Sequence, residues 1–292
     1  MTPYRGQYRG RFAPSPTGPL HAGSLATALA SWLDARAAGG KWIIRIEDLD
    51  PPRIVPGSAE RIVEALARCG LESDEPVVFQ SARRELYEAA FGRLQAAGLI
   101  YGCACSRRDV DEVIEAQENW RAGVYPRTCA TGATPGKPIR AYRIRVPDEE
   151  SSFIDRAAGP YTQHQTSDVG DFVVRRGDGL WAYQLAVVVD DAEQKITHIV
   201  RGADLLDNTP RQIYLQRALG FSTPRYLHVP LVLNTAGEKL SKQTGATGVD
   251  AAQPLTELNR AALHLDMPRF AAHSIEAFLR LAIDAWREQH RL

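Results

Sequence analysis

Apolar positions recur along the chain with spacings that predict alternating strands and helices. Residues 8–13 and 42–47 are short and largely apolar, as in strands buried within a parallel sheet. Residues 22–38 combine strong helix formers with apolar positions at helical spacing. Residues 58–69 and 81–97 predict amphipathic helices, each opened by a serine suited to capping. Together these elements favour an α/β fold.

The second half of the chain carries a similar mixture of signals. Residues 140–146 and 171–189 have strand character, and Arg-Gly-Asp-Gly at 176–179 predicts a hairpin turn. The remaining predicted elements are strands at 196–200 and 226–233 and helices at 209–219, 254–264 and 274–287.

Residues 100–147 depart from this pattern. They hold a close pair of cysteines, a polar helical piece at 107–120, a third cysteine and a Gly/Pro-rich stretch that runs to residue 138. Such a segment is typical of an insertion between the two halves of a nucleotide-binding fold.

Composition excludes several classes of protein. The 292 residues carry 35 Lys and Arg against 35 Asp and Glu, so RNA contact would need a local basic patch. No stretch is apolar for long enough to span a membrane, and residues 1–10 lack the apolar core of a secretory signal. Four cysteines in a chain of this size do not form a disulfide framework. We therefore expect a cytoplasmic protein without a membrane partner.

Residues 11–24, Arg-Phe-Ala-Pro-Ser-Pro-Thr-Gly-Pro-Leu-His-Ala-Gly-Ser, join a predicted strand to a predicted helix through a tight turn. The unpaired N–H groups and the dipole at a helix N-terminus favour phosphate there. Gly18 and Gly23 lack a Cβ, so a nucleotide can approach the backbone, and His21 can donate a hydrogen bond to a polyphosphate. Taken alone, the pattern fits a structural histidine in a βα turn equally well.

A second stretch, Glu-Lys-Leu-Ser-Lys-Gln at 238–243, lies in a segment rich in Gly and Thr. Lys239 and Lys242 could close over phosphates and neutralise charge that develops in a transition state. His-Ala-Gly-Ser at 21–24 followed by Lys-Leu-Ser-Lys at 239–242 resembles the signature pair of class I aminoacyl-tRNA synthetases.

Further motifs resemble the glutamyl branch of that class and run in its order over residues 9–242. They are Arg-Phe-Ala-Pro-Ser-Pro-Thr-Gly at 11–18, Arg-Ile-Glu-Asp-Leu-Asp at 45–50, Tyr-Gln-Leu-Ala-Val-Val-Val-Asp-Asp at 183–191 and Ile-Val-Arg-Gly-Ala-Asp at 199–204. Ser24 departs from the final histidine of the general signature, as is common within the branch. Leu240 and Gln243 replace the usual Met and Ser, which puts only the kinetics of loop closure in question.

The resemblance implies a Rossmann-like nucleotide-binding fold with an inserted zinc-containing subdomain, a short helical C-terminus and no anticodon-binding domain. We divide the chain into a first catalytic half at 8–100, a zinc-binding insertion at 101–140, a second catalytic half with the lysine loop at 141–250 and C-terminal helices at 251–292.

Glutamate offers two carboxylates and one ammonium, so its recognition needs two cationic groups and one acid. Arg11 and Arg201 meet the first need, and which of them holds which carboxylate stays open. Glu47 can hold the ammonium, Ser15 can add a hydrogen bond, and Tyr183 can donate its hydroxyl. The resemblance carries over all five positions. It also places Phe12, Ala13 and Pro14 at the glutamate site.

The same resemblance implies that ATP, with Mg²⁺, is the second substrate. Its predicted binding residues are Gly18, His21, Gly23, Ser24 and Lys242, and the predicted catalytic residues are His21, Lys239 and Lys242. No side-chain nucleophile is needed, because the attacking carboxylate is already ionised. Catalysis would consist of orientation and charge neutralisation at phosphate.

Cys103, Cys105 and Cys129 predict a structural zinc site, one per chain, since thiolate clusters that close a loop usually hold zinc. Buried reduced thiols are the alternative. Spacing alone leaves the fourth ligand open among Tyr125, Asp109, Asp111 and water. Zinc insertions of the family place a tyrosine four residues before the last cysteine, and this resemblance selects Tyr125.

Only about fifty residues follow Lys242, where a full glutamyl-tRNA synthetase continues into a helical anticodon-binding domain. The chain therefore resembles a short paralogue that attaches glutamate to the queuosine base at the wobble position of tRNA(Asp). The implied partner is the anticodon stem-loop of that tRNA, bound by a monomer. A conventional synthetase that charges a tRNA 3′ end, or a non-catalytic RNA-binding module, are the alternatives.

Overall fold

Three sheets carry the strands of this computed structural model, which describes residues 7–117, 120–232 and 248–291. The first sheet is parallel and has the order β1-β2-β3, with Arg9 opposite Lys41. Its strands are β1 (Arg9–Phe12), β2 (Lys41–Ile46) and β3 (Val78–Phe79). After Lys41, every residue of β2 is buried, as expected for a strand covered on both faces.

The other two sheets contain the remaining strands. They are β4 (Ile100–Cys103), β5 (Ala141–Ile144), β6 (Glu150–Asp155), β7 (Gly159–His164), β8 (Phe172–Arg176), β9 (His198–Gly202) and β10 (Arg225–Val229). One sheet has the order β7-β6-β10-β9, in which β10 is parallel to both neighbours, and the antiparallel other has the order β4-β5-β8.

Strand β9 begins beside β1, because the Thr197 N–H donates to the Arg9 carbonyl at 2.9 Å. The parallel strands of the first two sheets thus present their carboxyl ends to a common edge. Open α/β sheets bind ligands at this edge.

Helices pack around these sheets and enclose the core. They are α1 (Ala22–Ala37), α2 (Ser58–Arg68), α3 (Arg84–Ala96), α4 (Arg107–Glu115), α5 (Tyr183–Glu193), α6 (Thr209–Ala218), α7 (Pro254–His264) and α8 (Ile275–His290). Helix α1 is buried along most of its length between β1, α7 and α8. Within the described residues, no helix is both long and apolar enough to cross a membrane.

The carboxylate of Asp34 on α1 joins distant parts of the chain. It accepts hydrogen bonds from the Tyr8 hydroxyl, from both Nη atoms of Arg156 at 2.6 and 2.8 Å, and from the Trp286 indole at 3.0 Å. Burial opposes its ionisation, but the hydrogen bonds and charge of Arg156 prevail and hold the pKa of Asp34 below its ordinary value.

The predicted α/β class is confirmed, while several predicted elements are wrong in part. Residues 171–189 are not one strand region, because α5 begins at Tyr183 after β8 and the turn at 176–179. The predicted helix at 107–120 ends at Glu115. The hairpin of β6 and β7 is an element that the sequence interpretation missed.

The two predicted capping serines also act differently. Gly57 occupies the N-cap of α2, and the Ser58 hydroxyl instead bonds to the backbone of Gly18. Helix α3 begins at Arg84 after a 3₁₀ turn, and Ser81 bonds to the Asp48 carboxylate at 2.6 Å. The four-part division of the chain stays a prediction.

Candidate active site

The turn between β1 and α1 places an imidazole at the N-terminus of the helix. His21 is the N-cap, and its Nδ1 accepts the Ser24 backbone N–H at 3.2 Å. A neutral ring whose Nδ1 accepts carries its proton on Nε2, which lies 2.9 Å from the Ser24 hydroxyl. The N–H groups of the first turn of α1 point to the same place, so the turn suits an anion.

The two glycines of this turn serve different purposes. Gly18 has a φ of +137°, and both its N–H and its carbonyl bond to the Ser58 hydroxyl, at 3.1 and 2.5 Å. A Cβ on Gly23 would stand 3.3 Å from His21 Nδ1, so this glycine leaves room for the imidazole. Gly18 gives the turn its backbone conformation and connects it to Ser58. Its role in binding ATP stays a prediction.

A cavity of about 440 Å³ opens in front of this turn. This volume is in the range of small-molecule sites. Its walls include the predicted site residues Phe12, Ala13, Pro14, Ser15, His21, Gly23 and Ser24, together with Thr27, Gly202, Asp204 and Val232.

Lys239 and Lys242 lie in residues 233–247, outside the described ranges. The residues on either side of that segment both reach the turn. Val232 lines the cavity, and Gly248 pairs with His21 in an antiparallel bridge that the Val249 N–H extends to the Leu20 carbonyl at 2.8 Å.

Arg11 lies within a buried ionic network behind the cavity. Its Nε donates to Asp191 at 3.1 Å, and Arg45 Nη1 donates to the same oxygen at 2.9 Å. Arg45 is fully buried and also contacts Gln194 at 2.7 Å and Glu47 at 3.3 Å. Asp191 therefore fixes the position of the Arg11 and Arg45 guanidiniums relative to each other, at the ends of β1 and β2.

Asp190 extends the network away from the cavity. It accepts from Gln80 at 2.7 Å, from Arg83 Nε at 2.6 Å and from the Tyr87 hydroxyl at 2.9 Å, and its own side chain is completely buried. These contacts fix α5 against the end of the first sheet. The orientation of Arg11 thus depends on a layer of residues that do not line the cavity.

Glu47, the acid predicted to hold the ammonium, has a largely buried side chain at the end of β2. Its backbone N–H donates to the Pro14 carbonyl at 2.9 Å, and its only carboxylate contact among the described residues is the 3.3 Å bond from Arg45. Burial raises the pKa of Glu47 to about 7, although the charges of Arg45 and Arg11 oppose this shift. A cation bound here would restore the ionised form.

Arg201, at the carboxyl end of β9, is 3 % exposed. Its guanidinium donates to His228 at 3.0 Å, to Gln212 at 2.7 Å, to Thr209 at 2.7 Å and to the Leu205 carbonyl at 3.3 Å. Across the described ranges, no carboxylate forms an ion pair with it. The group is positioned by neutral partners and retains its full charge for a ligand.

Tyr183 stands at the N-terminus of α5 within the electrostatic field of these groups. Its side chain is 38 % exposed in the cleft, yet the surrounding protein raises the pKa of its phenol, and the charge of Glu47 adds to the effect. Arg201 and Arg11 act in the opposite direction. The hydroxyl is therefore a neutral donor at every ordinary pH.

The predicted metal ligands converge at the end of β4. The sulfur atoms of Cys103, Cys105 and Cys129 lie within 4.8 Å of one another, and those of Cys105 and Cys129 are 3.4 Å apart. The Tyr125 oxygen lies 3.3 Å from Cys103 and 3.5 Å from Cys105. Sulfur atoms around tetrahedral zinc are roughly 3.8 Å apart, given Zn–S bonds of ~2.3 Å. The four donors fit such an ion.

Sequence reasoning did not assign Arg45, Asp190, Asp191, Asp155 or His228 a role. A signal was present for the first three, because each is a charged residue within an otherwise apolar run. Charged groups buried in this way are expected to be paired. Nothing in the spacing of Asp155 and His228 reveals that they meet.

Comparisons with known proteins agree with this geometry. The family model "tRNA synthetases class I (E and Q), catalytic domain" matches residues 7–263. A glutamyl-Q tRNA(Asp) synthetase from Burkholderia mallei is 59 % identical over 96 % of each chain. The enzyme of that name from Janthinobacterium is 55 % identical over 96 % of this chain and 97 % of its own.

A solved glutamate tRNA ligase from Elizabethkingia meningosepticum, in complex with its amino acid, superposes with a TM-score of 0.79 at 28 % identity. The match covers 94 % of this chain and 64 % of that one, so the chain spans just under two thirds of its length.

Proposed function

The chain belongs to the class I tRNA synthetases of the E and Q family, and we propose that it activates glutamate with ATP and transfers it to queuosine in tRNA(Asp). Membership makes it a ligase of the type that forms an aminoacyl-adenylate. The substrate and the acceptor are argued below from the site and from the relatives.

Two buried guanidiniums and one acid carry the proposal, since the charges of Arg11, Arg201 and Glu47 all act on the Tyr183 hydroxyl. Glutamate brings two carboxylates and one ammonium, and Arg11, Arg201 and Glu47 supply the complementary charges. These three side chains do not line the cavity themselves, but Phe12 and Gly202, which follow the two arginines in the chain, do. Tyr183 and Ser15 add hydroxyl donors. The neutral partners of Arg201 favour a ligand carboxylate as its counter-ion.

Activation then needs only orientation and charge neutralisation. An α-carboxylate oxygen of glutamate attacks the α-phosphorus of ATP, and the bond to pyrophosphate breaks, which leaves glutamyl-adenylate. His21 and the N–H groups of α1 would receive the phosphates, and His21 would exchange its contact with the Ser24 hydroxyl for one with phosphate. Lys239 and Lys242 would add positive charge from the segment whose flanks meet His21.

In the second step, a hydroxyl of the queuosine cyclopentenediol attacks the glutamyl carbonyl. An ester forms and AMP leaves. The name of the relatives, glutamyl-Q tRNA(Asp) synthetase, supports this acceptor, and they match nearly the full length of this chain. The anticodon stem-loop would enter from the open side of the cavity and meet a monomer.

The test is ATP–pyrophosphate exchange with glutamate, followed by transfer of labelled glutamate to tRNA(Asp) with and without queuosine. Transfer only to the queuosine-containing tRNA is expected, and it should persist when the 3′-terminal adenosine has been removed. Loss of transfer on that removal, or charging of tRNA(Glu), would instead establish a conventional synthetase.

Cys103, Cys105, Tyr125 and Cys129 would hold one structural zinc ion. Hydrogen bonds outweigh burial and lower the pKa of the Cys129 thiol to about 7, whereas burial raises the pKa of the Cys105 thiol to about 11. The role therefore rests on the convergence of the four donors, and a bound metal would deprotonate both thiols. The Arg143 guanidinium lies 3.7 Å from the centre of the Tyr125 ring and offsets the negative charge of a three-thiolate site.

We expect purified protein to carry about one zinc per chain, and Cys105→Ser to reduce this content sharply. The segment 100–138 should then exchange its amide hydrogens faster, while α1 and β2 stay protected, because ligand binding orders such insertions. Cys69→Ala is the matched control, since Cys69 is buried in the main core. Zinc-free protein with an unchanged exchange pattern would contradict the assignment.

Glu47 makes glutamate binding dependent on pH. Below about 7 its carboxyl is protonated in the free protein, and a substrate ammonium can bind only if that proton leaves. We expect KM for glutamate to rise as pH falls through 7, toward about tenfold per pH unit. Glu47→Gln should give a high KM that no longer varies. A flat wild-type profile between pH 5.5 and 8, with KM for ATP measured in parallel, would count against this role.

A further inference from the structure

The contacts of Arg201 raise the question of how a buried guanidinium is held in one orientation without a carboxylate partner. Its Nη atoms donate to Gln212, Thr209 and the Leu205 carbonyl, and its Nε donates to His228 Nε2 at 3.0 Å. An imidazole accepts at Nε2 only when it is neutral and carries its proton on Nδ1. The fork of Arg201 therefore depends on one tautomer of His228.

Asp155 selects this tautomer. His228 Nδ1 lies 2.6 Å from Asp155 Oδ2, and both side chains are completely buried between β6 and β10. The carboxylate cannot donate, so the proton between the two residues belongs to Nδ1. Burial, with the nearby charge of Arg201, lowers the pKa of His228 and keeps the ring neutral in spite of Asp155.

The other carboxylate oxygen of Asp155 is fixed by the backbone. Oδ1 accepts the N–H groups of Ala157 at 3.0 Å, Ala158 at 2.9 Å and His228 at 3.2 Å. The carboxylate plane is thus set by three amides that belong to the hairpin turn and to β10.

We propose that Asp155 and His228 are positioning residues for glutamate recognition. Asp155 keeps the proton of His228 on Nδ1. The unprotonated Nε2 then accepts a hydrogen bond from Arg201 and holds its guanidinium in position for a substrate carboxylate. Among the described residues, the hydrogen-bond partners of the arginine are all neutral, so its charge is available to the ligand. This inference rests on the proposed role of Arg201 in binding glutamate.

Asp155→Asn is the sharpest test because it preserves shape. The three backbone N–H groups keep the amide oxygen at the Oδ1 position, so the amide NH₂ must face His228 Nδ1. The ring then carries its proton on Nε2. This N–H and the Nε–H of Arg201 are both donors, so the hydrogen bond between the two residues is lost. We expect KM for glutamate to rise about ten- to hundredfold, the scale of a lost hydrogen bond to a charged group, with KM for ATP unchanged.

His228→Gln supplies the rescue, since a glutamine oxygen can accept from Arg201 whatever stands at position 155. The double variant Asp155→Asn/His228→Gln should therefore bind glutamate as well as His228→Gln alone, within about threefold. His228→Leu, which removes the acceptor and leaves Asp155 in place, should match Asp155→Asn. It also replaces that variant if the asparagine protein fails to fold.

A readout independent of activity is the ¹⁵N spectrum of the His228 ring, which should show a proton on Nδ1 in wild type and on Nε2 in Asp155→Asn. Asp34→Asn is the matched control, because it alters a buried carboxylate bound to Arg156 and should lower Tm without changing KM for glutamate.

Equal KM values in wild type and Asp155→Asn, or additive losses in the double variant, would overturn the inference while glutamate activation by wild type stands. Absence of glutamate activation in wild type would instead overturn the proposed function.

Discussion

Lys242→Ala is expected to lower the rate of glutamyl-adenylate formation by about two or more powers of ten while glutamate affinity stays nearly intact. A lysine that meets charge developing on phosphate contributes to the transition state and little to the ground state, and the loss of one such contact has this magnitude. Val232 and Gly248, which flank residues 233–247, both reach the His21 turn. The described residues on both sides of the segment therefore lie beside the proposed phosphate site.

Lys41→Ala is the matched control for this prediction. Lys41 is exposed at the start of β2, and among the described residues its ion pair is with Glu75, at 3.4 Å. Pyrophosphate exchange at saturating glutamate and ATP should fall for Lys242→Ala and stay at the wild-type rate for Lys41→Ala. An unchanged exchange rate in Lys242→Ala would contradict the catalytic role of this lysine.

Glutamine should be activated tens- to thousands-fold less efficiently than glutamate. An amide in place of the side-chain carboxylate loses a charge-assisted bond and leaves one arginine of the pocket unpaired, at a cost on the order of 2–5 kcal/mol. Arg201 is the more sensitive of the two arginines, since Arg11 retains Asp191 as a counter-ion when the ligand is neutral. Arg201→Ala should accordingly reduce kcat/KM for glutamate by a similar factor and spare ATP binding.

Arg225→Ala provides the comparison, because Arg225 is an exposed arginine at the start of the neighbouring strand β10. The measurement is exchange kinetics with glutamate, glutamine and aspartate on wild type, Arg11→Ala, Arg201→Ala and Arg225→Ala. Wild-type protein that used glutamine as well as glutamate would show that the pocket has been misassigned, even with the ATP site correct.

Much of the fold could be predicted where the spacing of apolar residues in the sequence matches the pattern of buried positions in the structure. Strand β2 and helices α1 and α7 lie close to their predicted bounds. Residues 183–189 failed because Leu185 to Asp191 are all buried, so no polar face marks a helical period, and the run of valines favours a strand. Packing on every side of α5 overrides that local preference.

Strand β6 was not predicted because polar residues occupy much of its buried face and an apolar residue lies on its exposed face. Ser151, Phe153 and Asp155 point inward, whereas Ile154 is 78 % exposed. Two of the three inward residues are polar, so hydropathy alternation does not identify the buried face. The polar residue that matters most, Asp155, is buried because it serves His228, a partner 73 residues away.

The individual glutamate-site residues could be named from the resemblance, but the way they are held could not. Arg45 and Asp191 are 146 residues apart in the chain and meet only when β2 and α5 have been assembled. No local pattern encodes such a pairing. The sequence does show that Arg45 lies within an apolar run and that Asp191 lies at the end of one. Charged residues in such positions predict a buried ion pair.

The three residues that meet at Asp34 also limit when a nascent chain can complete the packing of α1. Tyr8 and Asp34 leave the ribosome before Arg156, and Arg156 leaves it before Trp286. Until α7 and α8 emerge, the face of α1 that they cover stays open to solvent. Helix α1 can therefore complete its packing only after residues 254–290 have been synthesised.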